Sequence, residues 1–412
     1  MKKIVVRGGK KLSGEITVSG SKNAALPLIF ASVLTEETCV IENVPAIRDV
    51  EMSLELLSAM GARICRPHPA AVEISAKDMR PVLPPPDLVS ELRASTYLMG
   101  AMLGRFGVAY VQDFGGCNFS PRPIDMHLFA ASCLGASLED GVLSAPKGLF
   151  GAVIPFDKTS VGATVNALLM SVRAKGITVI ENAAAEPHVD ALIAFLRSMG
   201  ADIRRLGRAL VVQGRALGGG SATVIGDMIE GSTYLLAGLV TGGRVTVEGC
   251  ESAHLSSFLH LFSESGASVT FENGGITLSA SALSPLEIET APYPAFPTDL
   301  QPQAALASAC FGGGVIKEGV FPKRFGYLSS LATMGLSYVK NEGVSYIFPS
   351  RLHAASVTAE DLRGGAALLL AALSASGESQ IFGASRILRG YERVAEKFSS
   401  LGANIILEKE GC

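Results

Sequence analysis

The sequence predicts an α/β fold of two domains, each built from three repeated units with helices inside and sheets outside. In the first of two patterns that predict it, a helix end runs into a glycine and then into an alternating strand, six times along the chain. A glycine after an amphipathic run is typical of a left-handed helix cap. The glycines are Gly61, Gly135, Gly200, Gly266, Gly335 and Gly402, with separations of 74, 65, 66, 69 and 67 residues.

The second pattern is an apolar helix of small residues, followed by a turn and another alternating strand. These helices are apolar on nearly every side, as is normal for helices that are buried all round. Six buried helices in six units fit two domains of three units. A solenoid of the same period is the alternative that the pattern leaves open. The apolar segments are residues 24–34, 94–103, 163–172, 233–240, 304–311 and 366–373.

The first strand, at residues 3–6, precedes the first complete unit. We therefore expect it to pair with a part of the chain that is distant in sequence. The chain then passes between the domains near residues 20 and 230. This predicts a discontinuous domain of residues 1–20 and 230–412, and an inserted domain of residues 21–229 that carries Cys117.

Composition excludes several classes of protein. The chain has 412 residues and a formal net charge of -3, which argues against a nucleic-acid coat or a polybasic membrane anchor. The longest apolar stretches fall far short of the ~20 residues that span a bilayer, and the N-terminus has no apolar signal region. Seven cysteines without a CxxC pair favour a reducing cytosol over a disulfide framework or a metal site.

Cations recur at the predicted starts of helices. A helix start offers unsatisfied backbone N–H groups and a partial positive charge, which favour anions, and arginine binds carboxylate and phosphate in a bidentate manner. The pattern predicts a substrate with several anionic groups, and the alternative is a set of helix caps and surface ion pairs. The cations are Lys22, Arg93, Arg122, Arg324, Arg363 and Arg389.

Three further side chains have unusual surroundings. Cys117 lies in a loop, FGGCNFSPRP, where Arg122 favours a reactive thiolate. Asp299, in AFPTDLQ, either complements a helix dipole or serves as a general base toward a hydroxyl. His127 either stacks on a base or ribose or is a structural residue of a helix.

Nine segments taken together resemble the enolpyruvyl transferases, and within that family the members that use UDP-N-acetylglucosamine as acceptor. The resemblance covers essentially the whole chain, and the combination is far more specific than any one segment. The segments are SGSKNAALP (19–27), NVPAIRDV (43–50), LRAS (92–95), GGCNFSPRPIDMH (115–127), TSVGAT (159–164), IENAAAEP (180–187), FPTDLQ (296–301), EDLRGGAAL (360–368) and RGYER (389–393).

The resemblance implies an inside-out α/β barrel of two domains with the active site in the cleft. It implies transfer of the enolpyruvyl group of phosphoenolpyruvate to the 3-hydroxyl of UDP-N-acetylglucosamine, with release of phosphate. This reaction is the first committed step of peptidoglycan precursor synthesis in the bacterial cytoplasm. No metal or organic cofactor, nucleic acid or membrane insertion is implied, and a monomer is favoured.

The resemblance also implies roles for individual residues. Cys117 gives a proton to the enol carbon, can form an adduct with phosphoenolpyruvate and is the residue that the epoxide fosfomycin alkylates. Asp299 takes the proton of the sugar hydroxyl. The remaining residues bind substrate: Lys22, Arg122 and Arg389 the phosphate; Arg324 and Arg363 the carboxylate; Asn23, Arg93 and Val320 the sugar; and Arg122, Pro123, Ile124, Asp125, Met126, Lys158, Thr159, Ser160, Val161 and Gly162 the UDP group.

The sequence departs from the family pattern in three places, which we expect to flank the cleft. Met228 stands where an arginine is common, His188 where an acidic residue is common, and Gly326-Tyr327 where the usual pair ends in histidine. Two alternatives stay open. One is 5-enolpyruvylshikimate-3-phosphate synthase, against which the cysteine-bearing loop argues. The other is a catalytically silent paralogue that binds a UDP-sugar.

Overall fold

The computed structural model describes residues 2–115 and 123–409 and confirms the α/β fold class. Its strands are β1 (Lys2–Gly8), β2 (Ser13–Thr17), β3 (Cys39–Glu42), β4 (Arg63–Cys65), β5 (Val72–Ser75), β6 (Val108–Tyr110), β7 (Ser137–Glu139), β8 (Val142–Ser144), β9 (Val153–Pro155), β10 (Ile177–Glu181), β11 (Asp202–Leu206), β12 (Ala209–Gln213), β13 (Ser221–Thr223), β14 (Arg244–Glu248), β15 (Ser268–Glu272), β16 (Gly275–Ser279), β17 (Leu286–Thr290), β18 (Gly314–Glu318), β19 (Ser337–Asn341), β20 (Val344–Phe348), β21 (Ser356–Thr358), β22 (Gly377–Phe382) and β23 (Asn404–Lys409).

The helices lie between groups of these strands along the chain. They are α1 (Lys22–Ala31), α2 (Arg48–Ala59), α3 (Pro86–Glu91), α4 (Thr96–Phe106), α5 (Asp125–Cys133), α6 (Val161–Ser171), α7 (Pro187–Ser198), α8 (Met228–Val240), α9 (Ser256–Glu264), α10 (Gln301–Cys310), α11 (Tyr327–Thr333), α12 (Leu362–Ser374), α13 (Ala384–Ile387) and α14 (Val394–Ser400). Short 3-10 helices lie at Ser32–Leu34, Arg93–Ser95, Ser252–Leu255 and Thr298–Leu300. Over the described residues, no helix is long and apolar enough to cross a membrane.

The described chain forms two compact units. The terminal unit contains residues 2–19 and 226–409, and the inserted unit contains residues 20–115 and 123–225. Three sheets belong to the terminal unit, with strand orders β21-β22-β1-β23, β15-β16-β14-β2 and β17-β18-β20-β19. Three belong to the inserted unit, with strand orders β13-β3-β5-β4, β11-β12-β10-β9 and β6-β8-β7. Each unit has its own hydrophobic core.

Strand β1 pairs with strands from the other end of the sequence. Ile4 lies opposite Ile381 of β22 and Leu407 of β23, both in antiparallel register. The expectation that the first strand pairs far away in sequence is confirmed. Because the repeats of a solenoid contact only their neighbours, this pairing also excludes an open solenoid.

The six glycines of the repeated pattern all have left-handed backbones. Their φ values lie between 91° and 104°, a region that residues with a Cβ atom rarely adopt. They follow α2, α5, α7, α9, α11 and α14, and the strands β4, β7, β11, β15, β19 and β23 begin soon after them. The predicted change from helix to glycine to strand is therefore confirmed in all six repeats.

The six apolar segments form the buried helices α1, α4 and α6 in the inserted unit and α8, α10 and α12 in the terminal unit. Several begin earlier than their apolar runs. Helix α8 starts at Met228 rather than near residue 233, because the carboxylate of Asp227 accepts the N–H groups of Ile229 and Glu230 at 2.8 and 3.1 Å. A first turn that is held by a capping side chain belongs to the helix although it lies outside the apolar pattern.

Two glycines allow α4 and α6 to touch backbone to backbone. A Cβ atom on Gly100 would lie 2.2 Å from Oδ1 of Asn166, and one on Gly104 would lie 2.5 Å from the carbonyl oxygen of Leu169. Residues near the start of one helix face residues near the start of the other, and the same holds further along. The helices are therefore parallel, and they begin at the same end of the inserted unit.

We predict that Gly104→Ala destabilises the protein. The new methyl group meets a backbone oxygen that cannot rotate away, and overpacking of this kind costs roughly 1–3 kcal/mol, more than alanine gains in helix propensity. Urea denaturation of both variants measures the loss. Gly231→Ala in α8 is the matched control, because its methyl group would meet side-chain carbons at 3.3 Å or more. Equal stability of Gly104→Ala and the wild type would contradict the close packing.

Candidate active site

Asp299 is bound by two buried arginines near the helix starts of the terminal unit. Nη1 of Arg324 donates to Oδ1 of Asp299 at 2.9 Å, and Nε and Nη2 of Arg363 donate to Oδ2 at 3.1 and 2.9 Å. The Asp299 side chain keeps 29% of its exposure, whereas the arginines keep 4% and 3%. No side chain caps the 3-10 helix at this point or α10. Ion pairs rather than helix capping therefore hold Asp299.

Arg324 is fixed from a second side by a network around a buried carboxylate. Its Nη1 also donates to Oγ1 of Thr298 at 3.0 Å, and Thr298 donates to Oε2 of Glu318 at 3.0 Å. The other oxygen of Glu318 accepts the backbone N–H groups of Val320 and Phe321 at 2.9 and 2.8 Å. Glu318, at the end of β18, thus ties the segment of Val320 to the support of Arg324.

Arg363 is the second residue of α12. The carboxylate of Asp361 caps that helix by accepting the backbone N–H of Arg363 at 2.9 Å. The guanidinium carbon lies 5.8 Å from the centre of the Tyr391 ring. Burial by itself lowers the pKa of the Arg363 guanidinium, but the adjacent Asp299 carboxylate outweighs burial and the net pKa rises above its ordinary value. Arg363 is a permanent cation.

Arg389 lies two residues before Tyr391, in the connection between α13 and α14, and it is half-buried. The terminal unit thus holds Asp299, Arg324, Arg363 and Arg389.

In the inserted unit, Lys22 opens α1 and faces an aspartate. Its Nζ lies 3.4 Å from Oδ2 of Asp49, the second residue of α2, and the two side chains keep 15% and 6% of their exposure. Asn23 follows in α1 and is half-buried. The sequence prediction did not select Asp49, although it lies in the NVPAIRDV segment.

A buried asparagine orients His127 of α5. The Asn166 side chain enters the backbone ladder of α4, where its Oδ1 accepts an N–H and its Nδ2 donates to the carbonyl of Thr96 at 3.0 Å. The second proton of Nδ2 faces Nδ1 of His127 at 2.6 Å, so Nδ1 accepts and the ring carries its proton on Nε2. Burial and the charge of Arg93 lower the pKa of His127 to about 4. A Cβ atom on Gly162 would lie 3.2 Å from Nε2, so this ring edge faces the start of α6.

The start of α6 gathers the residues predicted to line the UDP site. Ser160 caps the helix by accepting a backbone N–H at 3.3 Å. Thr159 donates to Asn182 at 2.9 Å and accepts from Arg208 at 2.6 Å. Lys158 is exposed, and the first two residues of the helix, Val161 and Gly162, are half-buried.

Arg93 opens the 3-10 helix that precedes α4, and burial lowers the pKa of its guanidinium. Cys117 and Arg122 lie outside the described residues. The next predicted UDP residues, 123–126, lead into α5, and Met126 is buried there. Over the part of the chain that the structure describes, no three His, Cys, Asp or Glu side chains lie close enough to hold a metal ion.

The chain is similar to known proteins over its whole length. Residues 6–398 match the family described as EPSP synthase (3-phosphoshikimate 1-carboxyvinyltransferase). The UDP-N-acetylglucosamine 1-carboxyvinyltransferase of Chlorobaculum parvum is 40% identical over 99% of both chains, and enzyme 1 of that name from Streptococcus agalactiae is 39% identical over 100% of both. This chain belongs to the enolpyruvyl transferase family.

Two solved structures share the fold of this enolpyruvyl transferase. The enolpyruvyl transferase NikO from Streptomyces tendae has a TM-score of 0.87 at 27% identity and covers 100% of this chain and 99% of its own. EPSP synthase from Acinetobacter baumannii has a TM-score of 0.74 at 19% identity and covers 99% of this chain and 100% of its own. The second likeness concerns the fold alone.

One departure from the enolpyruvyl transferase pattern, Tyr327, lies close to Arg324 and to the helix that carries Arg363. Tyr327 begins α11, is 4% exposed and packs against the start of α12, where a Cβ atom on Gly364 would lie 2.8 Å from its own. Burial raises the pKa of its hydroxyl well above the ordinary value, and Glu318 and Arg324 act on the same group. Met228 opens α8 beside the same helix starts, and His188 is buried in α7 of the inserted unit.

We predict that His127 stays neutral from pH 5.5 to 8. Protonation would turn Nδ1 into a donor that faces the donor group of Asn166. The ¹⁵N chemical shifts of the ring measure the tautomer directly. Asn166→Asp, which offers an acceptor instead, is expected to raise the pKa of His127, and a wild-type ring that titrates near 6.5 would contradict the structure.

The same shift makes stability depend on pH. The folded pKa of about 4 lies below the ordinary value of 6.5, so the unfolded chain binds the proton more strongly between these values. This contribution to stability is complete above pH 6.5 and is lost as the pH falls toward 4, by roughly 3 kcal/mol in total. Urea denaturation of His127→Gln and of the wild type at several pH values measures this contribution. The variant lacks the titrating group, so its stability should not show this loss at low pH.

Proposed function

We propose that this enolpyruvyl transferase moves the enolpyruvyl group of phosphoenolpyruvate to the 3-hydroxyl of UDP-N-acetylglucosamine and releases phosphate. The observation that carries the proposal is the identity of 39–40% to UDP-N-acetylglucosamine 1-carboxyvinyltransferases over essentially the full length of both chains. The solved EPSP synthase is only 19% identical, which supports a common fold but not a common acceptor. The paired arginines around Asp299 argue against a silent paralogue.

Arg324 and Arg363 suit the carboxylate of the donor. A guanidinium group presents N–H donors in a planar fork that matches a carboxylate, and both arginines already use theirs on Asp299. Thr298 holds one guanidinium, and the Asp361 cap holds the helix turn that carries the other. An incoming carboxylate meets donors that need little reorganisation, which is the condition for strong electrostatic stabilisation.

Lys22, Arg122 and Arg389 bind the phosphate of the donor in this proposal. Lys22 stands in the first turn of a buried helix, where the backbone also favours an anion. Arg389 is half-buried and lies two residues before Tyr391, whose ring contacts Arg363. A phosphate that leaves as an anion gains from positive charge that is already in place.

Asp299 and Cys117 move the protons. Asp299 accepts the proton of the sugar hydroxyl as that oxygen bonds to C2 of the donor, and Cys117 gives a proton to C3. The resulting tetrahedral adduct then loses a proton from C3 and breaks its C2–O bond to phosphate, which restores the double bond. Two guanidinium groups keep Asp299 ionised, the form that accepts a proton.

In this proposal the acceptor contacts two sets of residues, one for its sugar and one for its UDP group. Asn23, Arg93 and Val320 contact the sugar, and residues 122–126 and 158–162 line the UDP site. The cap at Ser160 and the Nε2–H edge of His127 at the start of α6 support an anionic, hydrogen-bonding ligand there. In this proposal the protein works in the cytoplasm as a monomer, at the first committed step of peptidoglycan precursor synthesis, without a metal or organic cofactor.

The decisive experiment is acceptor-dependent release of phosphate. Purified protein is expected to release phosphate from phosphoenolpyruvate with UDP-N-acetylglucosamine and not with shikimate 3-phosphate. Asp299→Asn keeps the shape but cannot accept a proton, so we expect kcat to fall roughly 10²–10⁴-fold. Release with shikimate 3-phosphate instead would overturn the acceptor, and no release with either acceptor would indicate a silent paralogue.

Fosfomycin tests the role of Cys117. We expect intact mass spectrometry to show one added inhibitor and peptide mapping to place it on Cys117, because a nucleophilic thiolate opens an epoxide. Cys65 is exposed and serves as an internal control that stays unmodified. Cys117→Ser is expected to abolish the adduct. An unmodified Cys117 would exclude this cysteine as the reactive group.

A further inference from the structure

Tyr391 lies directly against Arg363 in the interior of the terminal unit. The tyrosine is 2% exposed, and its ring centre lies 5.8 Å from the guanidinium carbon. An aromatic face at this distance attracts a cation, and more strongly where water is excluded. Burial raises the pKa of the Tyr391 hydroxyl, while the charge of Arg363 acts in the opposite direction. The hydroxyl is therefore neutral and carries its proton.

The hydroxyl of Tyr391 donates its proton to Thr233. Oγ1 of Thr233 donates to the carbonyl of Ile229 at 2.7 Å, so its oxygen is left to accept. Tyr391 lies 2.9 Å from Thr233 and is the donor of that bond. Nε2 of Gln303 lies 3.3 Å from the tyrosine oxygen and donates to it. The oxygen of the tyrosine is left to accept, as it does from Gln303, while Arg363 meets the face of the ring.

These contacts connect all three buried helices of the terminal unit. Thr233 belongs to α8, Gln303 to α10 and Arg363 to α12, and each lies in the first two turns of its helix. Tyr391 itself follows Arg389 by two residues. A single side chain thus links Arg363 to the segment that carries Arg389.

We propose that Tyr391 is a positioning residue that fixes the separation between Arg363 and Arg389. This inference rests on the proposed function, in which Arg363 binds the carboxylate of the donor and Arg389 its phosphate. Because the hydroxyl is held in place, the two arginines keep a fixed distance from each other. This distance suits a small donor that carries a carboxylate and a phosphate. Tyr391 acts through the arginines, so it affects the donor and not the acceptor.

Two variants remove the anchor in different ways. Tyr391→Phe removes the hydroxyl but keeps the ring, and Thr233→Val removes the group that accepts its proton. Each is expected to raise KM and Kd for phosphoenolpyruvate about tenfold, because a buried hydrogen bond is lost, while KM for UDP-N-acetylglucosamine changes less than about twofold. The double variant is expected to resemble the single ones, because both remove the same bond. Titration calorimetry with phosphoenolpyruvate gives Kd without the acceptor.

Tyr234→Phe is the matched control, because that tyrosine is also fully buried and its hydroxyl makes no hydrogen bond within the described residues. Wild-type values for the donor in both anchor variants, or an equal rise in KM for the acceptor, would overturn the inference. If Tyr391→Phe does not fold, Thr233→Val provides the test, because valine has nearly the same shape as threonine. Wild-type protein that binds phosphoenolpyruvate but transfers nothing would indicate a silent paralogue and refute the proposed function, and the comparison of Kd values would still decide this inference.

Discussion

The rest of the terminal unit depends on two guanidinium groups that are buried beside the carboxylate of Asp299, because buried charges must be paired and hydrogen-bonded. Removing a cation from water costs several kcal/mol per ion unless a counter-charge and hydrogen bonds replace the water. Arg363 carries an added penalty, because the start of α12 is itself positive. Asp299 and the Asp361 cap offset that charge, and Thr298 and Glu318 complete the support of Arg324. Three carboxylates, those of Asp299, Asp361 and Glu318, therefore surround the two cations, and Asp299 is the only half-buried one of the three.

Such a cluster forms only where helix starts lie side by side, which depends on small residues. In the inserted unit, Gly100 and Gly104 let α4 approach α6 so closely that the amide of Asn166 enters the backbone ladder of α4. The same amide then fixes the tautomer of His127. The excess of glycine in a chain of low charge thus has a direct consequence: backbone contact places polar side chains together at one end of the unit.

The repeats could be predicted because each carries its own local signal, a helix followed by a left-handed glycine and an alternating strand. The early starts of helices such as α8 could not be predicted in this way, because a capping aspartate lies outside an apolar pattern. Asp299 and Arg363 could be named from their segments, and Arg324 from the cations at predicted helix starts. Their mutual pairing could not be predicted, since Arg324 and Arg363 are 25 and 64 residues from Asp299. Tyr391 lies in the RGYER segment and Glu318 in none of the nine, and neither was selected, because only tertiary packing brings them to the arginines.

The proposed roles place two carboxylates, that of Asp299 and that of the donor, on the same two arginines. Without the donor, both oxygens of Asp299 are engaged by guanidinium groups, which weakens the carboxylate as a base. A second carboxylate takes part of that hydrogen bonding and adds a like charge nearby, and both effects raise proton affinity. We therefore propose that Asp299 acts as a base only when the donor is bound, which would couple removal of the acceptor's proton to the presence of the group that is transferred.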